Sequence, residues 1–155
     1  MKPVVYLLCG LPGSGKSTYA RKLEKEGAVC FSLDEELFKR FGRHFESGYD
    51  EKEVETKRQL KELCVENVRA GRSVIFDFGF WKKSARDEYK SFIEQAGADR
   101  KLIYFPASEV ELKRRLHIRN ENDLDRNHHI SEELMDKFMT QFEPPFGEGE
   151  EVIEQ

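Results

Sequence analysis

Two kinds of apolar pattern alternate along this chain: short unbroken runs, and longer stretches repeating every three to four residues. Val4 to Cys9 is an unbroken run that stops at a glycine, as in a strand covered on both faces. Lys16 to Glu26 then carries Tyr19, Ala20 and Leu23 on one side of a helix, and Gly27 stops it. Ala28 to Ser32 reads as a second strand and Asp34 to Phe41 as a helix. A longer charged helix runs from Tyr49 to about Ala70, with Leu60, Leu63, Cys64 and Val68 at helical spacing. Ser73 to Asp77 is a third strand, apolar until its last residue, followed by a helix from Lys82 to Gln95. Lys101 to Phe105 is a fourth strand. Ser108 and Glu111 have capping-box spacing and open a helix to about Asn120. Asn122 to His129 is polar and without period, Ser131 caps a helix to about Phe142, and Glu151 to Ile153 is a short last strand.

Strands alternating with helices in this way predict right-handed βαβ units: an α/β fold with a parallel sheet covered on both faces. Such sheets bind ligands outside the carboxyl ends of their strands. At 155 residues the chain is expected to form one domain over 1–155. Charged residues make up 36%, above the ~25% of an average domain, but the 12 phenylalanines are too many bulky apolar groups for a disordered chain. The net charge of −4 disfavours a dedicated nucleic-acid binder. No apolar run approaches the ~20 residues of a bilayer span, and the apolar start leads into a glycine-rich turn rather than a cleavage site. Three cysteines without C-x-x-C spacing, and four histidines that form no zinc-like pattern with them, fit a reduced, cytoplasmic protein.

The chemistry concentrates after the first strand. Gly10-Leu11-Pro12-Gly13-Ser14-Gly15-Lys16-Ser17 satisfies G-x-x-x-x-G-K-[ST] between a predicted strand and a predicted helix, the context this pattern needs. Its glycines let successive backbone N–H groups turn inward around an anion, and the helix after them adds its positive end. Gly13, Ser14, Gly15, Lys16, Ser17 and Thr18 are therefore the candidate nucleotide-binding residues. Lys16 supplies a mobile cation for the β- and γ-phosphates, and Ser17 a hydroxyl for Mg²⁺. The guanine-reading tetrapeptide N-K-x-D of switch GTPases does not occur, and larger motor ATPases need more chain. A compact kinase that uses ATP and Mg²⁺ is what remains.

Asp34 comes just after the second strand. A carboxylate there can take a proton from an acceptor hydroxyl or hold it in line for attack, or can simply cap the helix at Glu35 to Phe41. Asp77 closes an apolar strand, the Walker B pattern, and is a candidate for Mg²⁺ or acceptor binding. Asp77-Phe78-Gly79 also spells the magnesium motif of protein kinases, but the H-R-D that accompanies it there is missing. Arg115 and Arg119 share a helix face, and Arg126 lies in the polar segment beyond. Arginines on a lid over residues 120–130 would screen the migrating charge and exclude water; the bland reading is a solvated basic face, more so for Arg115 than for Arg119. Phe78, Phe80 and Trp81 either line an acceptor pocket or belong to the core.

The chain resembles the small P-loop kinases and AAA-type ATP-binding proteins grouped with polynucleotide kinase, zeta toxin and chloramphenicol phosphotransferase. The likeness is carried by residues 10–18, Ser32-Leu33-Asp34, residues 74–80, Leu112 to Asn120 and Phe142-Glu143-Pro144-Pro145. It implies a three-layer P-loop NTPase fold of the nucleoside and shikimate kinase type, with five parallel strands ordered 2-3-1-4-5 and a small helical lid. It also implies an acceptor-activating acid at Asp34, and Arg119 and Arg126 on the phosphates. Polynucleotide kinases carry an arginine three residues after that acid, and here Leu37 stands in its place. The expectation is transfer of the γ-phosphoryl of ATP to a hydroxyl of a small molecule. The alternatives are a polynucleotide 5′-hydroxyl kinase, or a nucleotide-binding regulatory module that hydrolyses ATP slowly or not at all.

Overall fold

The computed structural model describes residues 2–42, 49–122 and 131–154. Its elements run in the order β1 (Val4–Cys9), α1 (Lys16–Lys25), β2 (Val29–Ser32), α2 (Leu33–Phe41), α3 (Tyr49–Arg69), β3 (Val74–Gly79), α4 (Lys83–Ala96), β4 (Asp99–Tyr104), α5 (Glu109–Asn122), α6 (Glu132–Gln141) and β5 (Glu151–Val152). The strands form one sheet in the order β2-β3-β1-β4-β5, every neighbouring pair parallel. This is the order and the α/β class that the resemblance implies.

Parallel pairing buries β1 on both faces: Val5, Leu7, Leu8 and Cys9 are fully buried. One face packs Leu60, Cys64 and Val68 of α3 and Tyr89 and Ile93 of α4 against Val5, Leu7, Val74 and Phe76. The other sets Ala20 and Leu23 of α1 on Leu8, Ile75, Ile103 and Phe105. The helices therefore lie on both sides, and all the strands deliver their carboxyl ends to one rim.

One strand departs from its pattern. β3 does not end at Asp77 but continues to Gly79. Leu7 pairs with Phe76 but Cys9 pairs with Gly79, so three steps on β3 face two on β1. Such a bulge twists the strand locally and re-aims the side chains at it, here Asp77 and Phe78. The extra residue hides the strand's true end from a period-two pattern.

Capping also differs in detail. Ser32 caps α2, its Oγ accepting from the Glu35 N–H at 3.5 Å, so Asp34 lies within the first turn rather than at the cap. Ser108 Oγ accepts from the Glu111 N–H at 3.1 Å, but the Glu111 carboxylate does not complete the box. It bonds Arg114 and Arg115 instead, at 2.7 and 2.8 Å. Two nearby guanidinium groups outcompete one backbone N–H, because charge-assisted bonds are about twice as strong as neutral ones.

Candidate active site

The rim is built by the loops and helix starts at the carboxyl end of each strand. After β1 the chain turns at Gly10, where a Cβ would lie 2.5 Å from Ser14 Oγ and 3.2 Å from the Phe105 carbonyl, so only glycine fits. Gly13 and Gly15 hold φ of 86° and 103°, and Gly15 is the N-cap of α1. α1 begins without a side-chain cap and without an acid in its first turn. Ser32 and Ser131, by contrast, cap α2 and α6. The first N–H groups of α1 and its positive end thus face the rim uncompensated by side chains.

Ser14 is 1% exposed and its Oγ has no hydrogen-bond partner among the described residues. A buried hydroxyl of this kind costs about 1–3 kcal/mol unless something bonds it. Lys16 rests its Nζ on the Leu11 carbonyl at 3.1 Å. Burial holds its ammonium below the usual lysine range, Asp77 and Asp34 pull it back up, and Arg119 pushes it further down. Asp34, Asp77 and Arg119 thus all lie close enough to act on the charge of Lys16.

Asp77 is half-buried. Burial raises its carboxyl above the usual range, while Lys16 and the nearby Ser17 hydroxyl oppose that and Asp34 and Glu35 add to it. Asp34 reaches the same rim because Ser32 and Asp77 are register partners on β2 and β3, and Asp34 stands two residues further on. Ser17, Thr18 and Asp34 are exposed, and Arg119 is half-buried on α5. Of the lid predicted over 120–130, residues 120–122 are the end of α5, and 123–130, Arg126 among them, lie outside the described residues.

The described residues contain no group of three or more His, Cys, Asp or Glu side chains arranged as a cation cage. The pairing of one hydroxyl, Ser17, with one carboxylate, Asp77, fits Mg²⁺, which is usually held by one or two protein oxygens together with phosphate and water.

Arg115 is the rim residue whose surface reading fails. Its Nη1 donates to the Gly13 carbonyl at 2.9 Å while its Nε bonds Glu111 at 2.8 Å, tying α5 to the phosphate loop. Phe78, near the end of β3, and Phe80, just past it, belong to the core rather than to an open pocket. Phe78 stacks on Phe80 at 5.6 Å, and Tyr89 lies edge-on to both. Beneath them sits Arg86, to which no sequence motif assigns a role. It is 2% exposed and bonds Glu148 through Nε and Nη2 at 2.9 and 3.0 Å, and the Phe80 carbonyl through Nη1 at 2.7 Å. Its spacing to Tyr89 and Ile93, three and seven residues on, puts it on the buried stripe of α4, a signal present in the sequence.

Known proteins resemble this chain in sequence and in fold. The family model AAA_33, described as an AAA domain, matches residues 5–145. The cytidylate kinase of Methanocella arvoryzae is 33% identical over 98 residues, covering 52% of this chain and 56% of that protein. The alignment therefore spans about half the length of this curated relative. A candidate kinase of Chloroflexus aurantiacus superposes with a TM-score of 0.76 at 16% identity, over 99% of this chain and 89% of that one. The gluconokinase of Sinorhizobium meliloti 1021 gives 0.65 at 20% identity, over 99% and 83%. A chain of the Pnkp1/Rnl/Hen1 RNA repair complex gives 0.71 at 24% identity, over 90% of this chain and 43% of that one. At these identities the structures speak for the fold. With the family match over residues 5–145, they place the chain in the AAA domain family, on the fold of the small P-loop kinases.

Proposed function

We propose that the protein is an ATP- and Mg²⁺-dependent kinase that transfers the γ-phosphoryl group to a hydroxyl of a small-molecule acceptor. The observation that carries the reading is the convergence of Lys16, Ser17, Asp34, Asp77 and Arg119 on one rim, around a phosphate loop whose helix has no side-chain cap.

The residues divide the work by position. The loop N–H groups and the first turn of α1 hold the phosphate oxygens. Lys16 leaves the Leu11 carbonyl for the β- and γ-phosphates, where its charge offsets that of the leaving diphosphate. Ser17 and Asp77 would hold Mg²⁺, which would neutralise phosphate charge. Asp34, exposed on α2, accepts the proton of the acceptor hydroxyl as its oxygen bonds to the γ-phosphorus and the bond to the bridging β–γ oxygen breaks, leaving ADP. Arg119 faces the same charge from α5.

A small acceptor is favoured over a nucleic-acid end by the fate of the basic residues near Asp34. Arg40, the next arginine after the acid, is taken up by Glu36 and Gln59. Leu37, where polynucleotide kinases carry arginine, is fully buried in the core. The regulatory-module reading keeps the loop and gives Asp34 no task. Asp34→Asn separates the two. A kinase keeps its ATP affinity and loses label transfer from γ-labelled ATP to acceptors in a metabolite extract, by about a hundredfold or more. Transfer at the parent rate would remove Asp34 from the chemistry, and absence of any labelled product from the parent protein would favour the regulatory module.

A further inference from the structure

The phosphate loop is also held from behind, by a side chain that takes no part in the transfer. The chain has one tryptophan, Trp81, between β3 and α4. Its Nε1–H donates to the Gly10 carbonyl at 3.2 Å, and the Gly10 N–H donates to the Gly79 carbonyl at 3.0 Å. Both main-chain polar groups of the first loop residue are therefore fixed by residues 79–81. One peptide further on, the Leu11 carbonyl accepts from Lys16 Nζ and from the Ser14 N–H, each at 3.1 Å. The indole bond thus sets the peptide plane next to the one on which the lysine and the loop turn depend.

Trp81 is placed in turn by distant parts of the chain. Its ring lies against Phe138 of α6, with centroids 4.7 Å apart. Its carbonyl accepts from the Glu143 N–H at 2.8 Å, and the Glu143 carboxylate bonds the Lys83 N–H at 3.0 Å. The neighbouring Phe80 holds φ of 47°, unusual for a bulky residue, while its carbonyl is taken by Arg86. The backbone around the indole is therefore held from both sides.

We infer that Trp81 is a positioning residue for the phosphate loop, carrying the seating of α6 and of the 143–148 segment to Gly10 and so to nucleotide affinity. This rests on the proposal that the loop binds a nucleoside triphosphate. Without the indole donor the Gly10 peptide gains freedom, and binding must restrict it again.

The test is calorimetric titration of the full chain with ATP and Mg²⁺, together with the emission of its one tryptophan. Trp81→Phe keeps a ring for Phe138 and deletes the donor. It should bind ATP roughly three- to tenfold more weakly, the worth of one neutral hydrogen bond. In the parent protein the Trp81 emission should shift on adding ATP with the calorimetric midpoint, a response that a ring serving only to fill space would not give. Parent affinity in folded Trp81→Phe, or parent emission that ignores saturating ATP while calorimetry shows binding, overturns the positioning role. No heat from the parent protein overturns the nucleotide reading itself, and this inference with it.

Discussion

Two charged regions of this molecule lie on either side of Gly10 and are built on opposite terms. Around Arg86 the charge is satisfied within the chain. All three nitrogens of the guanidinium have partners, the Glu148 carboxylate is bound bidentately, and the Glu148 carbonyl takes a further bond from Arg100 at 2.8 Å. Burial is the largest single influence and works against the Arg86 charge, but the Glu148 hydrogen bonds and the negative charges of Glu148 and Glu143 together outweigh it and hold the group above its ordinary value. Beside it, burial pushes the Cys9 thiol up to about 11, so it stays protonated and donates to the Phe80 carbonyl at 3.3 Å.

At the rim the balance is reversed. Burial wins over the opposing charges at Lys16 and at Asp77, and both are shifted toward their neutral forms. Lys16 rests on a neutral carbonyl, and Ser14 keeps a buried hydroxyl without a partner among the described residues. A charge kept for structure is matched by its neighbours; a charge kept for a ligand is matched by them only in part. On the proposed reading, the rim gives up stability in the free protein in exchange for binding.

The contrast is most easily broken at the clamp. Arg86→Met leaves the Glu148 carboxylate half-buried and unpaired, and should cost about 3–5 kcal/mol in denaturant titration. Arg86→Met with Glu148→Gln should recover most of that loss. A loss under about 1 kcal/mol for the single variant would mean that the pair does not hold the fold.

Lys16→Ala should do the opposite: ATP binding weaker by on the order of a hundredfold, with the free protein melting no lower than the parent. A large fall in melting temperature would show that the rim lysine is structural after all. The smallest effect is expected at Asp77. Its carboxyl titrates above the unfolded value of 3.8. Between the two values the folded chain holds more proton than the unfolded one, so stability falls as pH rises through that window. Asp77→Asn should remove this fall and raise the melting temperature of the free protein at neutral pH by a few degrees, on the order of 1 kcal/mol, while weakening the Mg²⁺ dependence of ATP binding. Thermal scans across pH check the sign: an unchanged slope would contradict it.

Local features explain which parts of this picture the sequence carries. The sequence pattern places β1, β2 and β5 to within a residue and β4 to within two, and Ser131 caps α6 where its position predicts, its Oγ accepting from the Leu134 N–H at 3.1 Å. The phosphate loop is legible because its chemistry lies within eight consecutive residues. The end of β3 is not, because the bulge depends on the partner strand. Arg115 pairs with Glu111 one turn before it, so locally it reads as a solvated face; its bond to Gly13 spans 102 residues. The task of Trp81 is hidden in the same way, since its partner Gly10 is 71 residues distant. Contacts made at short range are written in the pattern, whereas contacts that the sheet order creates appear only once the strands are placed.

The central claim, that this loop closes on a nucleoside triphosphate, is tested most directly by calorimetric titration of the parent protein with ATP in the presence of Mg²⁺. The account predicts saturable heat at a single site, lost when Lys16 is replaced by alanine. Indifference of the parent protein to adenine and guanine nucleotides alike would contradict it.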